Sequence, residues 1–406
     1  VAPPDFAWWS EARFGMFVHW GLYSEAGSVW KDRFLPGWSE WMLNRKKIPP
    51  AEYYAELMPR FDPADFDANA WVLAAKNAGM KYIVITTKHH EGFAIWPSAI
   101  DDRDIAETKF GKPIADGGRG RDPLRELADA CERHGLKLGF YYSLLDWAHP
   151  DYLPRREWDM RPIDGAEYSR YAQFMCAQVK ELLDGRYGKI AVLWGDGDWE
   201  HGAQEHTSDE IVAMARALQP GILVNNRWAL PGDYATPENS IPDAMLDRPW
   251  ETCMTLNGSW GYARDDYDFK SARVVLQNLA DIISKGGNYL LNIGPDGRGR
   301  IDTGSLAVLA GIGQWMQAHS TSIYRNGHTA LPIPEWGRWT MGLNLDGTST
   351  LNAHIFSSPK SEVIRLDGVI DDPTAMRVLG GEFAAPIFRR EGPDLIVNLE
   401  PTALDA

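Results

Sequence analysis

The sequence predicts an α/β protein: a (β/α)8-like (TIM-type) barrel over residues 1–328, followed by a small C-terminal β-sandwich over residues 329–406. Three observations carry this. Short apolar, β-branched runs alternate with helical patterns for about 320 residues, which implies parallel strands joined by crossover helices. Polar and aromatic residues collect just after one strand end after another, where barrel enzymes keep their chemistry. From about Thr329 the helical periodicity vanishes and short runs between Gly, Pro and Asp replace it, as in a compact all-β module.

The first strand is expected within Arg13–Trp20, ending at His19 and Trp20. Trp38-Ser-Glu-Trp-Met42 follows in a Gly/Pro-flanked loop. A helix starts at Pro49-Pro50, with proline placed early, and a second spans 67–78, closed by Gly79. Tyr82–Thr87 is a β-branched strand leading into Lys88-His-His-Glu-Gly-Phe93. A polar, glycine-rich loop over 101–121 precedes a helix over 123–134 and a strand over 136–143. Apolar residues at helical spacing mark a helix over 168–183. Ile190–Trp194 is uncharged and reads as a fully buried strand that stops at Asp196, between Gly195 and Gly197. Ser208 is expected to cap a helix running to Leu218. A strand and its tip follow over 221–228, then an irregular stretch over 234–262, a helix over 271–284, a strand over 288–293 and a helix over 306–318. In the C-terminal module, strands are expected at 349–356, 362–366, 375–379, 386–389 and 395–399.

Forty-one basic against 56 acidic residues give a net charge of −15, which argues against nucleic acid or an anionic membrane as partner. No apolar run reaches the length of a membrane span. Val1–Asp5 carries no signal-peptide pattern, so the compartment stays open, with a periplasmic or extracellular setting slightly favoured over the cytoplasm. Homo-oligomerisation is left open. Cys131, Cys176 and Cys253 are too scattered for a disulfide framework or a zinc motif. Eighteen tryptophans suit the C–H faces of sugars, although a large domain also packs its core with Trp.

Candidate chemistry lies at the strand ends: His19, His89, His90, Glu91, Tyr141, Asp146, Asp196, Arg227 and a loop acid, Glu238 or Glu251, with Phe17, Trp20, Trp41, Trp194 and Trp260 around them. Two facing carboxylates among histidines and aromatics are what retaining sugar cleavage needs. A metal site is the main competitor. Adjacent histidines on a strand point to opposite faces, so only one of His89 and His90 could ligate unless the strand has ended, and no tight ligand spacing is present. Taken singly, Asp196 could merely tighten a turn and each histidine could be structural.

Seven segments together resemble the α-L-fucosidases of glycoside hydrolase family 29: Phe14-Gly-Met-Phe-Val-His-Trp-Gly21, Trp38-Ser-Glu-Trp41, Thr87-Lys-His-His-Glu-Gly-Phe93, Phe140-Tyr-Tyr-Ser143, Leu193-Trp-Gly-Asp-Gly197, Asn226-Arg-Trp228 and Lys285-Gly-Gly-Asn-Tyr-Leu-Leu-Asn-Ile-Gly-Pro295. They run in order across nearly the whole first 300 residues. The resemblance implies a barrel-like catalytic domain, a C-terminal β-sandwich, exo-cleavage of terminal α-L-fucose from glycans with retention of configuration, and neither cofactor nor metal. Carried over by position, Asp196 matches the nucleophile. His19, Glu40, Trp41, His89, His90, Tyr141, Trp194 and Arg227 match fucose-binding residues, and Phe17 and Trp260 the apolar patch under the fucose methyl. Glu238, in Thr-Pro-Glu-Asn, is the first choice for the acid/base and Glu251 the second. Gly195 stands where the family often has a larger residue, a departure expected to alter the pocket wall. The alternatives are a fucose-binding protein without catalysis, or a glycosidase for a related sugar such as α-galactose.

Overall fold

The computed structural model describes residues 3–35, 37–112, 120–357 and 363–399. Val1-Ala2, the middle of the polar loop (113–119), Glu362 and residues 400–406 lie outside them. Seven parallel strands form one curled sheet: β1 Phe14–Val18, β2 Tyr82–Lys88, β3 Lys137–Ser143, β4 Val192–Asp196, β5 Leu223–Val224, β6 Glu251–Thr255 and β7 Asn288–Ile293. Their order is β5-β4-β3-β2-β1-β7-β6. Every residue of six strands is buried, and in β3 only Lys137 is exposed. This is why most of them carry an apolar stretch with no exposed alternate positions.

Side chains alternate between two cores, as the strand period of two requires. Tyr82, Val84, Tyr141, Val192, Trp194, Leu223, Cys253 and Leu290 gather on the concave face. Met16, Ile83, Ile85, Phe140, Leu193, Val224 and Leu291 pack outward with the surrounding helices. The helix Phe6–Ala12, which no periodicity announces, sends Trp9 into the concave cluster, against Tyr234 with ring centroids 5.0 Å apart.

Several helices form where the sequence places them. Pro123–His134 starts on an Asp122 cap and ends at Gly135 (φ 75°), and Tyr168–Leu183 buries one face. Ser208 does not cap; it lies inside Ser208–Leu218 behind Thr207 (φ 54°). The last helix, Thr303–His319, begins earlier than expected because Asp302 caps it by accepting from the Ser305 amide (2.8 Å). Trp38–Met42 is not loop: Ser39–Trp41 is a 3-10 turn running into the helix Met42–Arg45.

An eighth regular strand is not present among the described residues. Instead, residues 233–239 bond to both sheet edges: the Asp233 amide to Val224 O (2.7 Å), the Ala235 amide to Pro249 O (2.9 Å) and the Asn239 amide to Cys253 O (2.9 Å). β6 was expected to be irregular. Its sequence, Glu-Thr-Cys-Met-Thr, carries a carboxylate and two hydroxyls and so lacks the apolar signature of its neighbours.

The C-terminal region forms two three-stranded antiparallel sheets. One pairs β8 Asn326–Gly327, β9 Gly337–Leu343 and β10 Ser349–Ile355; the other pairs β11 Val363–Leu366, β12 Ile387–Glu391 and β13 Asp394–Asn398. Trp339, Ile364, Leu366, Leu395 and Val397 make its core. The run 375–379 is not a strand. The module docks on the helix Ala272–Ser284 through Arg338 to Asp281 and Arg273 to Phe356 O (2.8 Å).

Candidate active site

The C-terminal ends of the parallel strands converge on Asp196. It is the last residue of β4 and only 8% exposed. Tyr141, on the neighbouring β3, donates to its Oδ2 at 2.9 Å. Arg227, beyond β5, donates from Nη1 to its Oδ1 at 3.0 Å. The same Nη1 lies 2.9 Å from Glu238 Oε2. Two further bonds fix the guanidinium: Nε to Thr236 Oγ1 (2.9 Å) and Nη2 to Thr236 O (3.0 Å). It sits 4.9 Å from the Trp194 ring centroid. Burial opposes its charge, but the neighbouring acids, Asp196 foremost with Glu238, together outweigh this and raise its pKa.

Gly195 does not line the pocket. Between Trp194 and Asp196 it faces the other way, where a Cβ would stand 2.4 Å from Trp228 Nε1. The expected change in the pocket wall therefore does not arise from this position.

Three histidines line the site as neutral rings. Burial pulls His19 down to about 4 and holds His89 and His90 well below the usual imidazole range. Their partners choose the tautomers. Asn292 donates its amide to Trp260 O (2.7 Å), so its Oδ1 accepts from His19 Nδ1 (2.6 Å), leaving His19 Nε2 as an acceptor. Ser143 donates to Leu145 O (2.8 Å), so it accepts from His90 Nδ1 (2.6 Å); His90 Nε2, 3.7 Å from Asp196 Oδ2, is then also an acceptor. His89 stacks on Tyr141 (5.5 Å, 6°), and its buried Nδ1 has no partner.

Both His89 and His90 enter the site because β2 ends at Lys88 and strand alternation no longer applies. The turn there needs Gly92 (φ 95°), where a Cβ would meet Asp146 Oδ1 at 2.3 Å. His89, His90 and Asp196 offer ligand atoms within 4.8 Å of one another, a possible metal triad. Arg227 stands against that, since a guanidinium 3.0 Å from the shared carboxylate repels a second cation strongly in a buried setting.

Glu40 is buried on the turn before Trp41. Its Oε2 accepts from the Gly261 amide (2.9 Å), its Oε1 has no partner, and burial pushes it up to about 7. Trp41 packs edge-on to His90 (5.2 Å). Phe17 and Trp260 flank His19 at 4.6 and 5.1 Å, with 6.0 Å between their own centroids.

The two candidate acids part company. Glu238 has a side chain 36% exposed beside Arg227. Glu251 is the first residue of β6, at the opposite, N-terminal end of the strands, and 1% exposed. It accepts from Tyr82 (2.6 Å) and from Trp194 Nε1 (3.1 Å), and burial pushes it up to about 7.

Glu91 and Asp146 lie outside the cluster. Glu91 accepts from the Leu22 amide (3.1 Å) and from Tyr53, and burial pushes it up to about 8. Burial opposes the charge of Asp146, but Arg103 (2.8 Å) and Lys88 (3.6 Å) hold its carboxyl well below the usual range. Trp20 turns outward onto Phe66 and Trp71. Sequence reasoning missed Thr236, Ser143 and Asn292 as partners, although Ser143 and Asn292 fall inside the quoted segments.

The α-L-fucosidase family model matches residues 3–321. A tissue α-L-fucosidase of Bos taurus is 33% identical over 337 residues, covering 78% of this chain and 68% of its own length. Among solved structures, α-L-fucosidase isoenzyme 1 from Paenibacillus thiaminolyticus superposes with TM-score 0.84 at 37% identity, covering 97% of this chain and 94% of that one. A family 29 enzyme of Bacteroides thetaiotaomicron, solved as a covalent intermediate trapped with 2-fluoro-fucosyl fluoride, superposes at 0.84 with 28% identity, covering 99% and 94%. No described helix is long and apolar enough to cross a membrane. This chain is a glycoside hydrolase and belongs to the α-L-fucosidase family, glycoside hydrolase family 29.

Proposed function

We propose that the chain is a retaining exo-α-L-fucosidase acting on terminal α-L-fucose of oligosaccharides or glycoconjugates by double displacement. One observation carries the stereochemistry. Arg227 Nη1 touches both Asp196 and Glu238, so those two oxygens lie at most about 5.9 Å apart, within reach of the retaining spacing and short of the inverting one. An Asp196 oxygen attacks C1 while the C1–O bond to the aglycone breaks and Glu238 gives its proton to the leaving oxygen. Water then attacks C1, passes its proton to Glu238, and the ester bond to Asp196 breaks.

In this reading Tyr141 and Arg227 orient Asp196. The acceptor nitrogens of His19 and His90, the free Oε1 of Glu40 and the free Nδ1 of His89 meet sugar hydroxyls. Phe17 and Trp260 accept the C6 methyl, where a hexose would bury a hydroxyl without a partner. His89, Trp41 and Trp194 complete the wall. Glu251 holds Trp194 from below rather than moving protons. No metal or cofactor takes part. The division into a catalytic domain and a C-terminal module belongs to the same proposal, but it falls before Asn326 rather than at 328/329, because β8 Asn326–Gly327 already pairs with β9. Residues 233–239 serve as a degenerate eighth strand that closes the barrel. The test is trapping with a 2-fluoro-fucosyl fluoride, followed by digestion and mass spectrometry. The label is expected on Asp196; label on any other residue, or fully active Asp196→Asn, overturns the assignment.

A further inference from the structure

Of eighteen tryptophans, Trp199 alone is exposed, at 55%. It stands three residues after Asp196, in the loop leaving β4. Its ring lies 5.7 Å from His90, edge to face, and runs nearly parallel to Trp41 (6.3 Å, 13°), so it lies at the rim of the catalytic pocket.

The loop is braced on both sides of it. Asp198 Oδ2 accepts from the Ala229 amide at 2.8 Å. Glu200 is held by Arg156 (2.5 Å) and by Tyr152, and Arg156 itself lies over Trp147 (5.7 Å). Carboxylates at positions 198 and 200 tie the backbone down while the indole between them faces solvent. What sets this ring apart is its place: a flat indole face held at the pocket mouth beside Trp41 and His90 is open to contact with whatever emerges from the pocket. Holding it still removes the ordering cost of that contact.

We propose that Trp199 is a stacking platform for the sugar ring that carries the fucose, and so selects leaving groups. This rests on the fucosidase reading. The residues assigned to fucose are nearly all buried, so the aglycone is the part of the substrate that emerges past this rim. An indole face suits a pyranose with its C–H bonds gathered on one side, as a galacto-configured ring has at C3, C4 and C5.

The experiment compares the full chain with Trp199→Ala and Trp199→Phe on two substrates: fucosyl-α-(1→2)-galactose, and α-L-fucosyl fluoride, which has no aglycone ring. Trp199→Ala is expected to lower kcat/KM on the disaccharide about tenfold while the fluoride rate stays within about twofold, and Trp199→Phe to keep most of the disaccharide activity. Equal losses on both substrates, or no loss on either, overturn the platform. Wild-type enzyme that cleaves neither substrate overturns the fucosidase reading itself.

Discussion

Glu238 and Glu251 give opposite signatures on truncation. Glu251 accepts from Tyr82 and Trp194, both 1% exposed, so Glu251→Ala strands two buried donors. At about 1–3 kcal/mol each, the loss is about 2–6 kcal/mol. For a domain of this size, about 2 °C per kcal/mol converts that into a fall in Tm of about 4–12 °C. Glu238 loses only a partly exposed pairing with Arg227, about 0–1 kcal/mol, so Glu238→Ala melts within about 2 °C of wild type. Its cost falls on chemistry: a missing general acid slows cleavage of a disaccharide about 10²–10⁴-fold. An aryl fucoside with a good leaving group needs no proton, so its first step survives, and azide restores turnover by replacing water in the second. The assay is kcat/KM on both substrates and kcat on the aryl fucoside with and without azide, alongside thermal melting. Azide rescue of Glu251→Ala at an unchanged Tm, with none for Glu238→Ala, would refute the assignment of both residues.

Trp260→Ala should erode discrimination between aryl α-L-fucoside and aryl α-L-galactoside, which differ only at C6, by about 10- to 100-fold, the worth of one methyl-sized contact, read as the ratio of kcat/KM values. Stability should fall on the alkaline side. Burial raises Glu91 to about 8, so between the ordinary carboxylate range and pH 8 the folded state holds a proton that the unfolded chain has released. That contribution is fully present at low pH and lost as pH rises through 8. The Tm should drop from pH 6 to pH 9, and Glu91→Gln, which has no proton to lose, keeps the Leu22 amide bond and can donate to the Tyr53 hydroxyl instead of accepting from it, should flatten the drop; an unchanged slope contradicts this. Dialysis against EDTA should leave kcat unaltered, because the Arg227 guanidinium 3.0 Å from the Asp196 carboxylate repels a second cation there; loss of activity restored by a divalent metal would reverse that conclusion.

Much of the strand–helix order was legible, since fully buried parallel strands carry short apolar or β-branched stretches: Tyr82–Lys88 and Asn288–Ile293 were visible through 82–85 and 289–291. β6 was not, because its Glu and Thr residues find buried partners that composition does not reveal. The helix Phe6–Ala12 was missed for want of periodicity, and 375–379 was overcalled because a short apolar run between turn residues reads the same whether or not another strand pairs with it. Most candidate site residues do converge, because strand tips in a parallel sheet all open on one end.

By itself, the sequence determined which residue types stand at the strand tips and that the chain alternates strand with helix, for local periodicity and turn chemistry are carried by neighbours along the chain. Only the tertiary structure decided that both His89 and His90 face the site, that Gly195 faces away from it, that Glu91 and Asp146 serve the scaffold, and that Glu238 rather than Glu251 shares Arg227 with Asp196. Those outcomes depend on where a strand stops and on which distant donor reaches which oxygen. Both are settled by packing between segments up to hundreds of residues apart.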